Sequence, residues 1–461
     1  MRRNSRRRDL NRWWTSSCTV SGPSRRGTWP ALLVLTVILW GSPAAPAERE
    51  ISLSEAIDLS LTHSSRVRSA EHDSSASMHD YRAAKSLRFP TFSLKAASFY
   101  IDELQSIDIP PRSIEIGAKE NYQLDLQLSL PLFTGGKISS QIGARKEEAL
   151  VRGHILQAQR LSNAYLTRKA YLELMMADLM VKSAEASLQR IQIIKGDAHN
   201  LHAGGMADSV DLLDAELAFQ KAAQMLEERE TARRNASAYL AQLIGFGSDE
   251  AFLLSESVPL PSLPDSENQA PTLQRINRPE LGAFDHRIQA AEYLVGSANA
   301  SHFPNVSGYA GYSVGKPNRD FYGKTWNDNF TVGMSLNWEF DLGGQTIRSA
   351  QAAKEMVFST QEDKKDLEES LLLQVKVGLA NLKCAYRAFA ISQEEYDISK
   401  RKFRLAKEKQ KAGYMSVNRL LELEAELTAT EQLYQASEIN YYIKQTEYLY
   451  TLGSPGIYGG L

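Results

Sequence analysis

Residues 122–133 read Tyr-Gln-Leu-Asp-Leu-Gln-Leu-Ser-Leu-Pro-Leu-Phe. Leucine occupies every second position from Leu124 to Leu132 and so shares one face, whereas the other face carries polar residues that include Asp125 and Gln127. This pattern predicts a membrane strand with lipid on one side and water on the other, and it makes Asp125 and Gln127 candidate lumen-facing residues. A soluble sheet with one buried face would alternate in the same way, but the length of about 11 residues suits a tilted membrane strand.

A second strand, at residues 329–340, repeats this alternation. Its apolar face ends in Trp338 and Phe340, and its polar face ends in Asn337 and Glu339, two further candidate lumen-facing residues. Aromatic residues near a strand end are typical of the girdle at a membrane interface. Each strand has a predicted partner, at 91–100 and 305–314, which makes four strands per chain. Because four strands cannot close a barrel, further copies are required: two chains supply eight strands and three supply twelve.

The chain contains an internal duplication. Gly135-Gly136 recurs as Gly343-Gly344, and the segment that starts at Gly205 recurs at Gly413, both 208 residues later. Repeated sequence predicts repeated structure. We expect a first repeat at 48–245, a proline-rich linker at 246–277, a second repeat at 278–453 and a C-terminal tail at 454–461. Each repeat contains a helix, two strands and a long helical hairpin, so the fold class is α+β.

Each long hairpin begins after a glycine pair that we expect to bend the strand into the helix. The 69-residue span from Gly136 to Gly205 contains no proline, and the span from Gly344 to Gly413 matches it. A helix of that length is roughly 100 Å long. Spacings of three and four residues predict coiled-coil packing against returning helices at 211–243 and 419–452. The second-repeat positions are Leu382, Ala385, Phe389, Ser392, Tyr396 and Ser399.

Charge and the N-terminus constrain the compartment and the partners. Residues 1–47 hold eight arginines and one acid, followed within that segment by an apolar run and Ala45-Pro46-Ala47, which predicts a cleaved signal peptide. A retained anchor is the alternative. The remaining residues carry 45 basic and 54 acidic groups, a net charge of −9, which argues against nucleic acid as a partner. Cys384 is the one cysteine beyond the leader, so no internal disulfide is expected.

These residues resemble the outer-membrane efflux protein family, the TolC-like exit ducts. The resemblance runs from Ile51 to about Gly453, and it is most specific at Pro131–Gly136 and at Gly205–Glu216. It implies a homotrimer with a twelve-stranded β-barrel in the outer membrane of a Gram-negative bacterium and an α-helical coiled-coil barrel in the periplasm. It also implies a periplasmic adaptor (membrane fusion protein) and an inner-membrane pump as partners. Such a duct passes drugs, small molecules or secreted polypeptides to the exterior without catalysis or a cofactor.

The resemblance also implies that the hairpin tips close the duct and contact the adaptor. Gly205 and Gly413 mark these tips. Several family members carry acidic residues at the second tip, where this chain has Arg419 and Glu422, whereas the first tip keeps an acidic pair, Asp211 and Asp214. A ring that mixes arginine with glutamate favours ion pairs between protomers over a purely cation-attracting mouth. Alternatively, Arg419 is a solvated residue at a helix start.

Other chemistry has little support in the sequence. His199 and His202 lie near the first tip, but no cysteine or third ligand is nearby, so we expect no metal site. No nucleophile elbow, phosphate-binding loop or HExxH motif occurs, and we expect no enzymatic activity. Two other function classes remain: a periplasmic coiled-coil adaptor with no pore of its own, and a secreted enzyme. The alternating strands argue against the adaptor.

Overall fold

A computed structural model of the chain describes residues 49–247, 252–255, 259–262, 273–318 and 325–459. The predicted signal peptide and parts of the predicted linker lie outside the described residues. Seven α-helices are described: α1 Leu53–His63, α2 Ser65–Ser86, α3 Lys137–Ala203, α4 Ser209–Ile244, α5 Pro279–Asn299, α6 Gln345–Lys411 and α7 Val417–Leu452. The described strands are β1 Arg49–Ile51, β2 Thr91–Tyr100, β3 Gln105–Ile109, β4 Arg112–Ile116, β5 Glu120–Phe133, β6 Phe252–Leu254, β7 Asn305–Lys316 and β8 Asn327–Asn337.

The helical hairpins of the two repeats correspond residue by residue. Adding 208 to the bounds of α3 and α4 gives the bounds of α6 and α7. Both α3 and α6 contain 67 residues, so each is roughly 100 Å long. The α3–α4 and α6–α7 pairs pack along their lengths, and α3 also packs against α7. The predicted heptad residues Leu382, Ala385, Phe389, Ser392 and Ser399 are buried, and Tyr396 is half-buried.

The four long strands form one antiparallel sheet in the order β2-β5-β7-β8. The β5–β7 pairing joins the strands of the first repeat to those of the second. Residues on β5 change register against β7 between Pro131 and Phe133, near the point where the strand gives way to α3. A bulge suits this position because proline has no N–H to donate to the ladder. These strands and long helical hairpins confirm the predicted α+β fold class.

Strand β8 is shorter than the predicted strand at 329–340, because it ends at Asn337. Asn337 pairs with Asn305, and Pro304 precedes Asn305 in the neighbouring strand. Since proline cannot donate a backbone hydrogen bond, the ladder stops there. Trp338, Glu339 and Phe340 therefore follow the strand, and the Trp338 indole donates a hydrogen bond to the His302 carbonyl at 3.2 Å.

A smaller layer packs against the long helices. Strand β6, inside the predicted linker, pairs in parallel with β1 near the start of the described chain. The hydroxyl of buried Tyr171 on α3 donates a hydrogen bond to the Ile51 carbonyl at 3.2 Å, which attaches this small sheet to the core. Buried Arg168, one turn earlier, donates to the carbonyls of Gly456 and Gly459 in the C-terminal tail. The linker and the tail are therefore partly structured.

None of the helices within the described residues is long and apolar enough to cross a membrane.

Candidate functional site

Most apolar residues of the four long strands lie on one face of the sheet, whereas Phe99 and Tyr309 lie on the other face. Phe92, Leu128, Ala310 and Val332 are aligned across the strands, and so are Leu94, Leu126, Tyr312 and Phe330. Phe330 and Val332 are each about 70% exposed. Apolar patches of this kind on a protein surface mark sites of contact with another protein or with a membrane.

The opposite face of the sheet carries the polar residues. Asp125 is aligned with Lys95, Ser313 and Asn329, and it accepts a hydrogen bond from Gln123 Nε2 at 2.9 Å. Gln127 and Asn337 lie on this same face, so the structure brings together three of the four residues predicted to face a lumen. Glu339 lies beyond the end of β8, where its carboxylate accepts a hydrogen bond from Asn337 Nδ2 at 3.3 Å.

The two predicted strand-to-helix bends differ in structure. Gly135 and Gly136 both have positive φ, and a Cβ on Gly135 would lie 2.6 Å from the Ala300 carbonyl oxygen. In the second repeat Gly344 has positive φ but Gly343 does not. Asp341 closes this second bend, since its carboxylate accepts hydrogen bonds from the N–H groups of Gly343 and Thr346. Asp341 was not predicted, although an acid that precedes a helix start is a recognisable sequence signal.

The first hairpin tip is a glycine turn followed by a capped helix. Gly205 has positive φ, and the Asp208 carboxylate accepts a hydrogen bond from the Ser209 N–H at 2.6 Å to begin α4. Asp211 and Asp214 lie in the first turns of α4 and are half-buried. An exposed apolar stripe accompanies them on this tip, formed by Met206, Val210, Leu213 and Leu217.

The second tip has the same backbone with different charges. Gly413 has positive φ, and the Ser416 hydroxyl accepts a hydrogen bond from the Arg419 N–H at 3.3 Å. The Arg419 guanidinium forms an ion pair with Glu422, one turn later in the same helix. Both side chains are more than half exposed, so the pair contributes less than about 1 kcal/mol to stability. Arg419 therefore has a partner within the protomer, and contact with another protomer stays a prediction.

Sequence reasoning missed a buried polar cluster that joins the two hairpins. Glu424 of α7 is 1% exposed and accepts hydrogen bonds from Ser187, Arg190 and Thr428. Arg190 of α3 also donates to Thr428 and to Glu431. The sequence signal for this cluster was a charged residue that follows Leu420 and Leu423 and precedes Leu427, on the buried side of α7. Buried charges of this kind require partners, so the cluster specifies how α3 and α7 align.

An exposed apolar seam on α6 was also missed. Its residues recur every seven positions and are all exposed: Val377, Cys384, Ile391, Ile398 and Leu405. Ile391 is 60% exposed and Leu405 is 56% exposed. A heptad seam over several turns is the pattern by which one helix packs against another. This seam, here called the α6 seam, has the form of a helix-packing surface, and its residues are exposed to solvent within the chain.

Arg278 anchors the start of the second repeat to the end of α7. Its guanidinium donates hydrogen bonds to Glu280 and to the Tyr450 carbonyl, and it lies 4.3 Å from the centre of the Tyr450 ring. Burial alone would raise the pKa of the Glu280 carboxyl. The hydrogen bond and positive charge of Arg278 outweigh burial, so the pKa of Glu280 lies below its usual value.

The histidines near the first tip show no metal-binding arrangement. His202 Nδ1 lies 3.1 Å from the Ala207 carbonyl oxygen, and His199 is exposed on α3. Among the residues that the structure describes, no group of three or more His, Cys, Asp or Glu side chains is placed to hold a metal ion.

Comparison with known families decides the identity of this architecture. The outer membrane efflux protein family matches residues 56–246 and 270–451, which together cover most of the chain. The chain belongs to the outer membrane efflux protein family. As a member of this family it is an outer-membrane protein of a Gram-negative bacterium, as the resemblance in the sequence predicts.

Individual members of the outer membrane efflux protein family are distant relatives. Outer membrane protein OprJ of Pseudomonas aeruginosa is 26% identical over 288 residues, a match that covers 58% of this chain and 55% of OprJ. The Campylobacter jejuni CmeC outer membrane channel has a TM-score of 0.72 at 17% identity, with 87% of this chain and 85% of that chain covered. VceC of Vibrio cholerae has a TM-score of 0.71 at 17% identity, with 87% and 96% covered. These structures share the fold of this chain.

Proposed function

We propose that three copies of this chain form an outer-membrane exit duct for efflux. The observation that carries the proposal is the exposed α6 seam. Within one chain, α3 packs against α7, and α6 and α4 are their equivalents in the other repeat. Among the described helices, α6 and α4 of one chain do not pack together as α3 and α7 do. The equivalent contact between α6 and α4 therefore requires a second copy. Repeating it from copy to copy arranges the hairpins in a ring, which is the closed symmetry expected of homo-oligomers.

The sheet supports the same assembly from its other end. Its outer strands are β2 and β8. The free edge of each would leave backbone N–H and C=O groups without hydrogen bonds in lipid, which is energetically unfavourable. Pairing β8 of one copy with β2 of the next would remove both edges and continue the apolar face around a barrel. Three copies supply twelve strands, with the apolar face toward lipid and Asp125, Gln127 and Asn337 toward a water-filled lumen. The alternative function, a periplasmic adaptor without a pore, does not explain why one face of the sheet is apolar and exposed.

The duct would act with partners and without catalysis. A periplasmic adaptor and an inner-membrane pump would deliver cargo, and the tips at Gly205 and Gly413 would form the periplasmic entrance. Asp211, Asp214, Arg419 and Glu422 are the candidate residues of that entrance and of the adaptor contact. We assign the repeats to 48–245 and 278–453, joined by the segment 246–277 and followed by the tail 454–461.

The detergent-corrected mass of protein extracted from outer-membrane fractions tests the assembly. Three protomers are expected for the wild type. Ile391→Glu combined with Ile398→Glu should lower the oligomer fraction, because two buried charges would oppose seam packing. A matched pair, Gln393→Glu and Lys400→Glu, changes exposed residues of the same helix and should leave the trimer intact.

Single-channel conductance in planar bilayers tests the pore itself. The wild-type oligomer should insert and conduct. A water-soluble monomer, or a trimer that never conducts, would overturn the exit-duct proposal and favour the adaptor.

A further inference from the structure

The tip end of α6 carries an unusual concentration of positive charge. Seven of the twelve residues from Lys400 to Lys411 are Lys or Arg, and one is acidic. The equivalent residues of α3, 192–203, contain one lysine and one aspartate. The chain beyond the leader is acidic overall, so this charge is local to the second hairpin. A dense patch of one sign costs self-repulsion unless an opposite charge approaches it.

Four of these basic residues share one face and lack an acidic partner. Lys400, Arg404, Lys407 and Lys411 are spaced by four, three and four residues, which aligns them along one side of the helix. In the described part of the chain none of the four forms an ion pair, whereas Lys402 pairs with Glu426 at 2.6 Å. Lys400 Nζ lies 5.5 Å from the centre of the Tyr396 ring, but no carboxylate of the described residues pairs with any of the four charges, so an external carboxylate can do so.

Three of these residues, Lys400, Arg404 and Lys407, border a groove between α6 and α7, here called the basic groove. It has a volume of about 660 Å³ and is lined by Lys400, Arg401, Arg404 and Lys407, by Asp397 at one end, and by the apolar side chains of Phe403 and Leu427. Leu427 is buried and Phe403 is half-buried, so they form an apolar floor beneath the charges. A positive rim above an apolar floor suits an amphipathic helix that presents carboxylates on either side of an apolar stripe.

The position of the basic groove separates it from the α6 seam. The four aligned basic residues lie roughly 100–160° around the helix axis from Leu405 of the seam. Tyr386 precedes Lys400 by two heptads and so lies on the same side of α6. Its ring packs against the main hydrophobic core and contacts the ring of Tyr441. The Tyr441 hydroxyl in turn donates a hydrogen bond to the Ser262 carbonyl. The groove therefore lies on the side of the hairpin that faces the segment 259–262. Because this side is separated from the seam around the helix axis, we expect it to stay open when a second copy packs on the seam.

The groove is also far from the outer membrane. Lys400 follows the start of α6 by 55 residues, so it lies roughly 80 Å from the strand end. Lipid headgroups of that membrane cannot reach it. We propose that the basic groove binds an acidic amphipathic helix of a separate periplasmic protein. This proposal rests on the exit-duct function, because it assigns a chemistry to the docking face of the predicted adaptor.

The repeat supplies a matched control for the test. The variant with Lys400→Glu and Lys407→Glu reverses the charge of two groove residues and is here called the reversed variant. The control variant, with Gln192→Glu and His199→Glu, introduces carboxylates at the equivalent positions of α3. All four positions are on helix surfaces. The probe is a synthetic helical peptide with glutamates spaced by four, three and four residues around a leucine stripe. Its binding to the full-length protein in detergent is measured by fluorescence anisotropy against the same peptide with glutamines.

We expect the acidic peptide to bind the wild type more tightly than the glutamine peptide does. The reversed groove should weaken that binding at least about ten-fold, from the loss of several exposed ion pairs, while the α3 control stays within about two-fold. Equal binding to the reversed and control variants would overturn the proposal, as would equal binding of the two peptides. If the reversed variant is poorly folded, Arg404→Gln in the same assay replaces it, with a smaller loss expected.

Two further measurements distinguish a docking site from an interface between copies and from a defect of the pore. Sedimentation of the reversed variant should show the wild-type oligomer; dissociation confined to this variant would make the groove an interface between copies and overturn the proposal. The reversed variant should also keep the wild-type single-channel conductance. If the wild-type protein conducts but does not bind the acidic peptide, the docking site is rejected and the exit-duct function is retained. If the wild-type protein never conducts, the exit-duct function itself is rejected.

Discussion

Arg190 Nε of α3 lies 3.1 Å from Glu424 Oε1 of α7, and this contact joins a residue of the first repeat to one of the second. Glu424 is buried, and Ser187 and Thr428 donate further hydrogen bonds to the same oxygen. Because these three donors come from α3 and α7, the cluster holds the two hairpins in one alignment near their tips.

Removing the charge of Glu424 should weaken the α3–α7 contact. Glu424→Gln leaves Arg190 partly buried without its main partner, and we expect a loss of about 1–3 kcal/mol in the free energy of unfolding. Thermal melting of the detergent-solubilised protein measures this loss. Glu426→Gln is the matched control in the same helix, since Glu426 forms an exposed pair with Lys402 and should change stability by less than about 1 kcal/mol. Equal effects of the two substitutions would contradict a structural role for the cluster.

The two glycine pairs should differ in their tolerance of alanine. Gly135→Ala would place a Cβ 2.6 Å from the Ala300 carbonyl oxygen on a backbone with positive φ, so we expect a loss of about 2 kcal/mol or more. Gly343→Ala meets neither obstacle, because the nearest atom is 3.5 Å away and φ is not positive. The yield of folded oligomer in outer-membrane fractions should fall for the first substitution alone. A similar fall for Gly343→Ala would show that the bends are equivalent after all.

The two faces of the sheet should respond differently to one charged substitution. Val332→Arg on the apolar face should destabilise the inserted protein by about 2–4 kcal/mol if that residue lies near the bilayer centre. Thr331→Arg, one position earlier, lies on the polar face and should be tolerated. Folding into lipid vesicles at increasing urea concentration measures the difference. Equal tolerance at both positions would contradict a lipid-facing role for Val332.

The Arg278–Glu280 pair should make stability depend on acid. Because the pKa of Glu280 is lowered in the folded chain, its contribution is present above the unfolded pKa of about 4.3 and is lost as pH falls through the folded value. The melting temperature of the wild type should therefore exceed that of Glu280→Gln at neutral pH, and the gap should close in acid. Glu362→Gln, at a largely exposed position, should follow the wild type throughout. A gap that is constant with pH would rule out the proposed linkage.

Substitution of Arg419 tests the second tip. If Arg419 restrains the closed entrance through ion pairs between protomers, Arg419→Ala should raise the closed-state conductance in planar bilayers. An unchanged conductance would support the alternative, a solvated helix-start residue paired with Glu422 in its own helix. Thermal stability should change by less than about 1 kcal/mol in either case, since the pair is exposed.

Sequence alone determined the elements that depend on local periodicity. The two-residue alternation at 122–133 and the proline-free spans after each glycine pair specified the long strands and helices, because side chains repeat every two residues in a strand and every 3.6 in a helix. The 208-residue offset established the duplication and therefore the correspondence of α3 with α6 and of α4 with α7. The same patterns carried the family resemblance that the comparisons confirm.

Only the tertiary structure decided which of these surfaces are occupied. Helix α6 has two apolar stripes: a buried one that includes Leu382 and Phe389, and the exposed α6 seam that includes Ile391 and Leu405. Periodicity predicts both stripes, but it does not predict which of them packs within the chain. The end of β8 depended on Pro304, which precedes the neighbouring strand. Two partners of Glu424, Ser187 and Arg190, came from a helix more than 200 residues away in sequence. These features depend on contacts between distant segments, which local pattern does not encode.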